Sequence, residues 1–462
     1  MSTPSWVQDA IFYQIFPDRF ANGDRDNDPP NVQKWGSVPT SWSFQGGDLR
    51  GIIQHLDYLL DLGINAIYLN PIFLSPSTHR YNTTDYYQID PKLGNMADFR
   101  DLVEMVHRND MHLILDGVFN HVGRGFFAFV DVLENGKNSP YKDWFHIQNF
   151  PLNAYDDNQP INYRGWWDHK SLPKLNTSNK LVRKYIFNIA RYWVDQGIDG
   201  WRLDVPNEID DDGFWAEFRR VVRAGNHDAY LVGEIWDVNP RWANDNHFDG
   251  LMNYPVRDAL VGLLQGQENA VQFDARIDTL LKAYAPENLS AMYVPLDSHD
   301  TERFKTMVGG NVDKLKMAFL FQMAFPGAPA IYYGDEVGVE GEKDPDSRRA
   351  FPWNENDWNQ DLRTWVKTLI MLRKQTPSLR RGDFLRLMAE DGIYAFARVM
   401  DVDMTIIVLN ATSRVRRIDV PCKVLGWNDG RTVQDCIAGE KYTVRGGKMS
   451  LSLPGWSGVL IG

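Results

Sequence analysis

Eight short apolar runs, most of them separated by stretches of helical spacing, constrain this chain more than any other feature. The runs are AIFYQIFP (10–17), INAIYLN (64–70), HLILDGVFN (112–120), DGWRLD (199–204), YLVGEIW (230–236), GLMNY (250–254), SAMYVPLDSHD (290–300) and PAIYYGDE (329–336). Between them, DFRDLVEMVHRN (98–109), KLVRKYIFNIARYWVDQG (180–197) and NVDKLKMAFLFQMAF (311–325) repeat apolar residues near every 3.6 positions. Apolar strands alternating with helices build a parallel sheet covered by helices. Eight such units over roughly 370 residues predict an α/β fold, a (β/α)8 TIM barrel with insertions.

The pattern breaks twice. Residues 121–178 are rich in Asn, Asp, Gly, Pro and aromatics and lack sustained periodicity. A stretch this long is no plain loop, so it reads as an inserted subdomain between strand three and its helix. The barrel is then expected over 1–120 and 179–378. From 379 to 462 the chain turns to short alternating runs such as YAFARVM, MTIIVLN and GVLIG, which predict a C-terminal all-β sandwich domain.

A formal charge of −12 argues against nucleic-acid phosphate or an anionic membrane as the main partner. The two cysteines, Cys422 and Cys436, suggest neither a zinc site nor a disulfide framework. The start MSTPSWVQDAIFYQIFPDRF has no basic region followed by an apolar run, and no apolar stretch is of membrane-spanning length. A cytoplasmic protein is expected.

Barrel chemistry sits where the strands end at their C-terminal side. Polar residues gather there: Asp116, Asn120 and His121 after strand three, Arg202 and Asp204 on strand four, Glu234 on strand five, His299 and Asp300 on strand seven. Taken singly, Asp116 reads as a brace and each histidine as a structural one. Arg202 and Asp204 are two apart, hence on one face of a strand, and a charge buried there needs its partner. Carboxylates at one mouth suit glycoside chemistry, in which a nucleophile and a proton donor lie about 5 Å apart and titrate differently. On this reading Arg202 keeps Asp204 ionised as the nucleophile. Glu234, flanked by Ile235 and Trp236, has an apolar setting that keeps it protonated as the acid, and Asp300 favours the oxocarbenium-like transition state.

These residues carry a resemblance. DGVFNH (116–121), GWRLDVPNE (200–208), GEIW (233–236) and LDSHD (296–300) resemble, in order, the four short regions of the α-amylase superfamily, glycoside hydrolase family 13. LPKLN (172–176), and Glu208 in GWRLDVPNE, resemble the neopullulanase, cyclomaltodextrinase and maltogenic amylase group. The resemblance implies Asp204 as nucleophile, Glu234 as general acid/base and Asp300 as transition-state stabiliser. It implies His121, Arg202 and His299 as contacts to the sugar at the cleavage point, with Tyr81 of STHRYNTTDYYQIDP stacked beneath it. Asp344 and Arg348 of DPDSRR match residues that bind a sugar further toward the non-reducing side.

ANGDRDND (21–28) packs oxygen ligands densely, as calcium prefers. It resembles a calcium loop of relatives, which implies Asn22, Asp24, Asn27, Asp28, Gly46 and Asp48 around a structural calcium. The group's N-terminal β domain has no counterpart before the first strand, so a monomer is expected rather than the dimer that domain builds. The implied activity is retaining hydrolysis of α-1,4 bonds in cyclodextrins, maltooligosaccharides and starch, with transfer to sugar acceptors. The alternative is an exo-acting α-glucosidase or α-1,6-cleaving relative, against which LPKLN weighs. A non-catalytic binding scaffold is disfavoured by the presence of all three carboxylates.

Overall fold

A computed structural model describes residues 3–462. Each of the eight apolar runs contributes one strand. They are β1 (Phe12–Ile15), β2 (Ala66–Leu69), β3 (His112–Gly117), β4 (Gly200–Leu203), β5 (Tyr230–Gly233), β6 (Gly250–Leu251), β7 (Tyr293–Pro295) and β8 (Ala328–Tyr332). All pair in parallel, in the order β6-β5-β4-β3-β2-β1-β8-β7. A parallel bridge between Met252 and Tyr293 joins the two edges and closes the barrel. All eight strands are shorter than the runs that predict them, and the residues beyond their C-terminal ends leave the ladder to form the mouth.

The two-residue period of each strand sorts its side chains. Phe12, Ala66, Tyr68, Ile114, Tyr230, Val232, Tyr293 and Ala330 form one buried cluster that fills the barrel. Their neighbours Tyr13, Ile67, Leu113, Leu115, Trp201 and Leu231 belong to the larger core between barrel and helices. Asp116 is the register partner of Arg202, and Arg202 that of Val232. Asp204 and Glu234 follow two positions on, in the same inward phase and one layer nearer the mouth.

After β2 the chain forms a small hairpin, Phe73–Leu74 against Asp85–Ile89, which carries Tyr81 on its connecting loop. The segment 121–178 contains a nine-residue helix, Phe127–Asn135, that its Asn- and Gly-rich composition does not suggest. Antiparallel bridges within it, His121 to Lys174 and Phe145 to Leu175, tie its end back onto its start and middle. Two four-stranded antiparallel sheets follow the barrel. One orders Asp383–Glu390, Ile393–Met400, Asp403–Asn410 and Ser457–Ile461, and the other orders Arg416–Pro421, Lys448–Leu453, Lys441–Arg445 and Thr432–Gln434. Ile393, Val408, Ile418 and Leu451 share one core between the sheets, as the alternating runs predict. Among the described residues no helix is long and apolar enough to cross a membrane.

Candidate active site

The inward layer built by β3, β4 and β5 puts one guanidinium among three carboxylates. Arg202 is 1% exposed. Its Nη1 lies 2.9 Å from Asp116 Oδ1 and 3.0 Å from Asp204 Oδ1, and its Nη2 3.0 Å from Glu234 Oε2. Asp116 also accepts from Tyr68 Oη at 2.6 Å and Tyr81 Oη at 2.8 Å, which makes it the brace its sequence position suggests. The residue after Asp204, Val205, adopts φ +35°, a left-handed conformation costly for a β-branched residue. That turn aims the Val205 N–H at Glu234 Oε2, 2.9 Å away.

Asp300 stands at the mouth opposite. His299 Nε2 is 3.0 Å from its Oδ2, and Arg348 Nη2 is 3.5 Å from its Oδ1. Arg348 turns its Nη1 to Asp344 Oδ1 at 2.9 Å, so Asp344, Arg348 and Asp300 form one row. The Tyr81 ring lies parallel to His299, 5.3 Å between centroids and 6° between planes, with the hydroxyl 2.5 Å from Nε2. His121 is buried and takes a contact from Asn120 Nδ2 on its Nδ1. All nine expected catalytic and substrate-binding residues therefore lie on one rim.

Charge in this cleft is set by burial. Asp204 is pushed well above the ordinary carboxylate range by desolvation; Arg202 opposes, and Glu234, Asp116 and Asp300 add to the rise. Asp300 is pushed up to about 7, first by desolvation and then by Glu234, against Arg348 and Arg202. Its side chain keeps 30% of its surface open, so water at the mouth moderates that rise. Burial lowers His121 to about 3 and carries His299 well below its usual value, so both rings are neutral near pH 7.

Two expectations need correction. Glu234 does not sit in an apolar setting: its carboxylate meets Arg202, the Val205 N–H and Trp236 Nε1 at 3.2 Å. Arg202 does not by itself hold Asp204 ionised: it is shared with Asp116 and Glu234, and burial raises Asp204 in spite of it. Several neighbours escaped the sequence reading. Gln14 donates to Asn70 and meets His299 Nδ1 at 2.9 Å, and Asn70 donates to the Tyr81 hydroxyl at 3.1 Å. Trp236 stacks on Tyr254 at 3.9 Å and 3°. Lys174 of LPKLN and Glu208 of GWRLDVPNE meet at 2.9 Å, which joins two stretches separately tied to one group.

The six residues of the oxygen-rich loop also converge. Asn22 Nδ2 donates to Asp28 Oδ1 at 2.8 Å, and Asn27 Nδ2 to Asp48 Oδ2 at 3.2 Å. Asp48 caps the helix Leu49–Gln54 and accepts the N–H groups of Gly51 and Asp24, so it anchors the loop. The side-chain oxygens of Asn22 and Asn27 are buried without a partner. Gly46, at φ +84°, faces Asp28 and Asn22 at a spot where any β-carbon would collide with both. No group of three His, Cys, Asp or Glu among the described residues is placed to hold an ion, and the unpartnered oxygens at this loop are the side-chain amides of Asn22 and Asn27.

The profile of the α-amylase catalytic domain matches residues 14–382. The chain belongs to the α-amylase family. The profile of the neopullulanase-like C-terminal domain matches residues 384–457. A cyclomaltodextrinase from Thermoanaerobacter pseudethanolicus is 47% identical over 414 residues, 89% of this α-amylase family member and 71% of that protein. The cyclic α-maltosyl-(1→6)-maltose hydrolase of Arthrobacter globiformis superposes with a TM-score of 0.92 at 36% identity, over all of both chains. The debranching enzyme of Nostoc punctiforme superposes with a TM-score of 0.92 at 42% identity, over all of this chain and 99% of that one. This family member is a glycoside hydrolase acting on glucans, similar to cyclomaltodextrinases and neopullulanases.

Proposed function

We propose that the enzyme is a retaining hydrolase that cuts α-1,4 bonds within cyclodextrins, maltooligosaccharides and starch, and transfers glucosyl units to sugar acceptors. The observation that carries this is the single guanidinium bound to Asp204 through Nη1 and to Glu234 through Nη2. Carboxylates that share the two nitrogens of one planar fork are near neighbours. That suits the spacing of about 5–5.5 Å of a retaining pair better than the about 6.5–9.5 Å of an inverting one.

In the productive form Asp204 is ionised and Glu234 carries a proton. Asp204 attacks the anomeric carbon while Glu234 protonates the departing oxygen, so the glycosidic bond breaks as the ester bond to Asp204 forms. Glu234, now a carboxylate, takes a proton from water or from an acceptor hydroxyl, whose oxygen displaces Asp204 and restores the starting enzyme. Asp300 and His299 hold the hydroxyls of the distorted sugar, Tyr81 lies beneath it, and Arg202 balances the carboxylates throughout. His121 also contacts this sugar, and Asp344 with Arg348 receives the next unit toward the non-reducing end. The orphaned Asn22 and Asn27 oxygens fit a hard cation, and calcium held there by the loop of Asn22, Asp24, Asn27, Asp28, Gly46 and Asp48 would brace the barrel far from the chemistry.

The full-length likeness to the Arthrobacter and Nostoc enzymes favours one second reading, cleavage of α-1,6 bonds. Incubation with β-cyclodextrin and, separately, with cyclic α-maltosyl-(1→6)-maltose decides between them, with Asp204→Asn as control. A ring has no chain end, so only internal cutting opens it. Opening of β-cyclodextrin to maltose and glucose is expected. An intact β-cyclodextrin beside a (1→6)-linked ring converted to maltose, which only cleavage of its 1→6 bonds yields, contradicts the α-1,4 reading and supports the second.

A further inference from the structure

Trp167 is 75% exposed and holds φ +47°, followed by Asp168 at φ +59°. Two successive non-glycine residues in the left-handed region cost stability, and an exposed indole recovers little of it through burial. The turn that holds them is nonetheless well made. Trp166 N–H donates to Leu172 O at 2.9 Å, Leu172 N–H returns to His169 O at 3.0 Å, and the Tyr163 hydroxyl ties down Lys170 O at 2.6 Å. At its base Lys174 is clamped to Glu208, four residues past Asp204 on the chain. Such a turn fixes Trp167 in place without hiding it.

The indole faces continue the site. Trp166 stacks on His121 with centroids 5.3 Å apart and planes 22° apart, and Trp167 stacks on Trp166 at 4.6 Å and 10°. The three rings form a near-parallel file from the buried histidine at the cleavage point to solvent. Trp166 is itself held from below by His121, so the outermost indole rests on a packed ring rather than on solvent. A flat apolar face held rigidly beside a polar cleft is the surface a sugar ring covers, and a fixed aromatic binds without losing side-chain entropy.

We propose that Trp167, carried by Trp166, is a substrate-binding platform for a glucosyl ring of the α-glucan beyond the one at the cleavage point, and that it sets the preference for longer chains. This rests on the glucan reading of the site above, in which His121 contacts the sugar at that point. Trp167 is a specificity residue and takes no part in bond breaking.

The test is calorimetric titration of maltoheptaose into the full-length Asp204→Asn protein and into the same protein carrying Trp167→Ala, Trp167→Phe or Trp167→Gly. Trp167→Ala should raise Kd about tenfold, the loss of one stacked ring, and Trp167→Phe, which keeps a flat face, less than threefold. Trp167→Gly should raise Kd as much as alanine yet melt no lower than the parent, because glycine accepts the left-handed backbone freely. That pairing separates a binding role from a structural one. Equal Kd in all four proteins overturns the proposal. No binding of maltoheptaose by the Asp204→Asn parent overturns it together with the glucan reading, whereas tight parental binding with an indifferent Trp167 overturns it alone.

Discussion

At the scale of single residues, the cleft strains its own stability. Asp204 is raised well above 3.8 by burial among other carboxylates, so the folded state binds a proton that the unfolded chain releases. Stability from this group is full below the unfolded value near 3.8 and is lost as pH rises toward the folded value. Asp204→Asn removes that loss along with the nucleophile. The variant should melt about 1–3 °C above the native enzyme at pH 8, with the gap closing as pH falls toward 4, while turnover drops by at least about a thousandfold. Scanning calorimetry at both pH values checks it; a variant less stable than the native enzyme at pH 8 contradicts the account. The paired phase of Arg202 and Asp204 was legible in the sequence because a strand's period is fixed. The sharing of Arg202 was not, since Asp116 and Glu234 reach it from neighbouring strands whose register no single sequence states. Gln14 and Asn70 lay in inward phase on recognisable strands, and a polar residue in that phase was the signal that could have found them.

Among elements, the eight strands were legible because they are buried on both faces and most are bounded by helical spacing. The closure of β6 on β7 through Met252 and Tyr293 was less so, since β6 contributes only Gly250 and Leu251 to the ladder. The helix Phe127–Asn135 escaped because it is held by packing of Phe129 and Val132 in the core, a tertiary effect that overrides its surroundings' composition. The Asn22–Asp28 loop makes a prediction at this scale. With calcium bound between the free oxygens of Asn22 and Asn27, dialysis against a calcium chelator should lower Tm by several degrees, and added calcium should restore it. An unchanged melting curve at low free calcium contradicts the ion.

For the whole molecule, the barrel places the carboxylates, the segment 121–178 walls one side of the cleft, and the β sandwich packs away from it. Phe396 of the sandwich meets Phe321 of a barrel helix at 5.7 Å, and the buried Arg398 donates to Ala324 O at 2.6 Å. The sandwich is thereby fastened to the barrel's outer helices rather than to its mouth. The platform proposed at Trp166 and Trp167 lies in the segment 121–178, and sequence reading passed over it because nothing local marks a tryptophan there as exposed. The central claim is that Asp204 and Glu234, drawn together by one arginine, work by double displacement. Proton NMR of the first products from maltoheptaose, recorded before mutarotation, tests it most directly. The account predicts that the new reducing ends appear first as the α-anomer; β-anomer formed first would mean a single displacement by water and would contradict the mechanism.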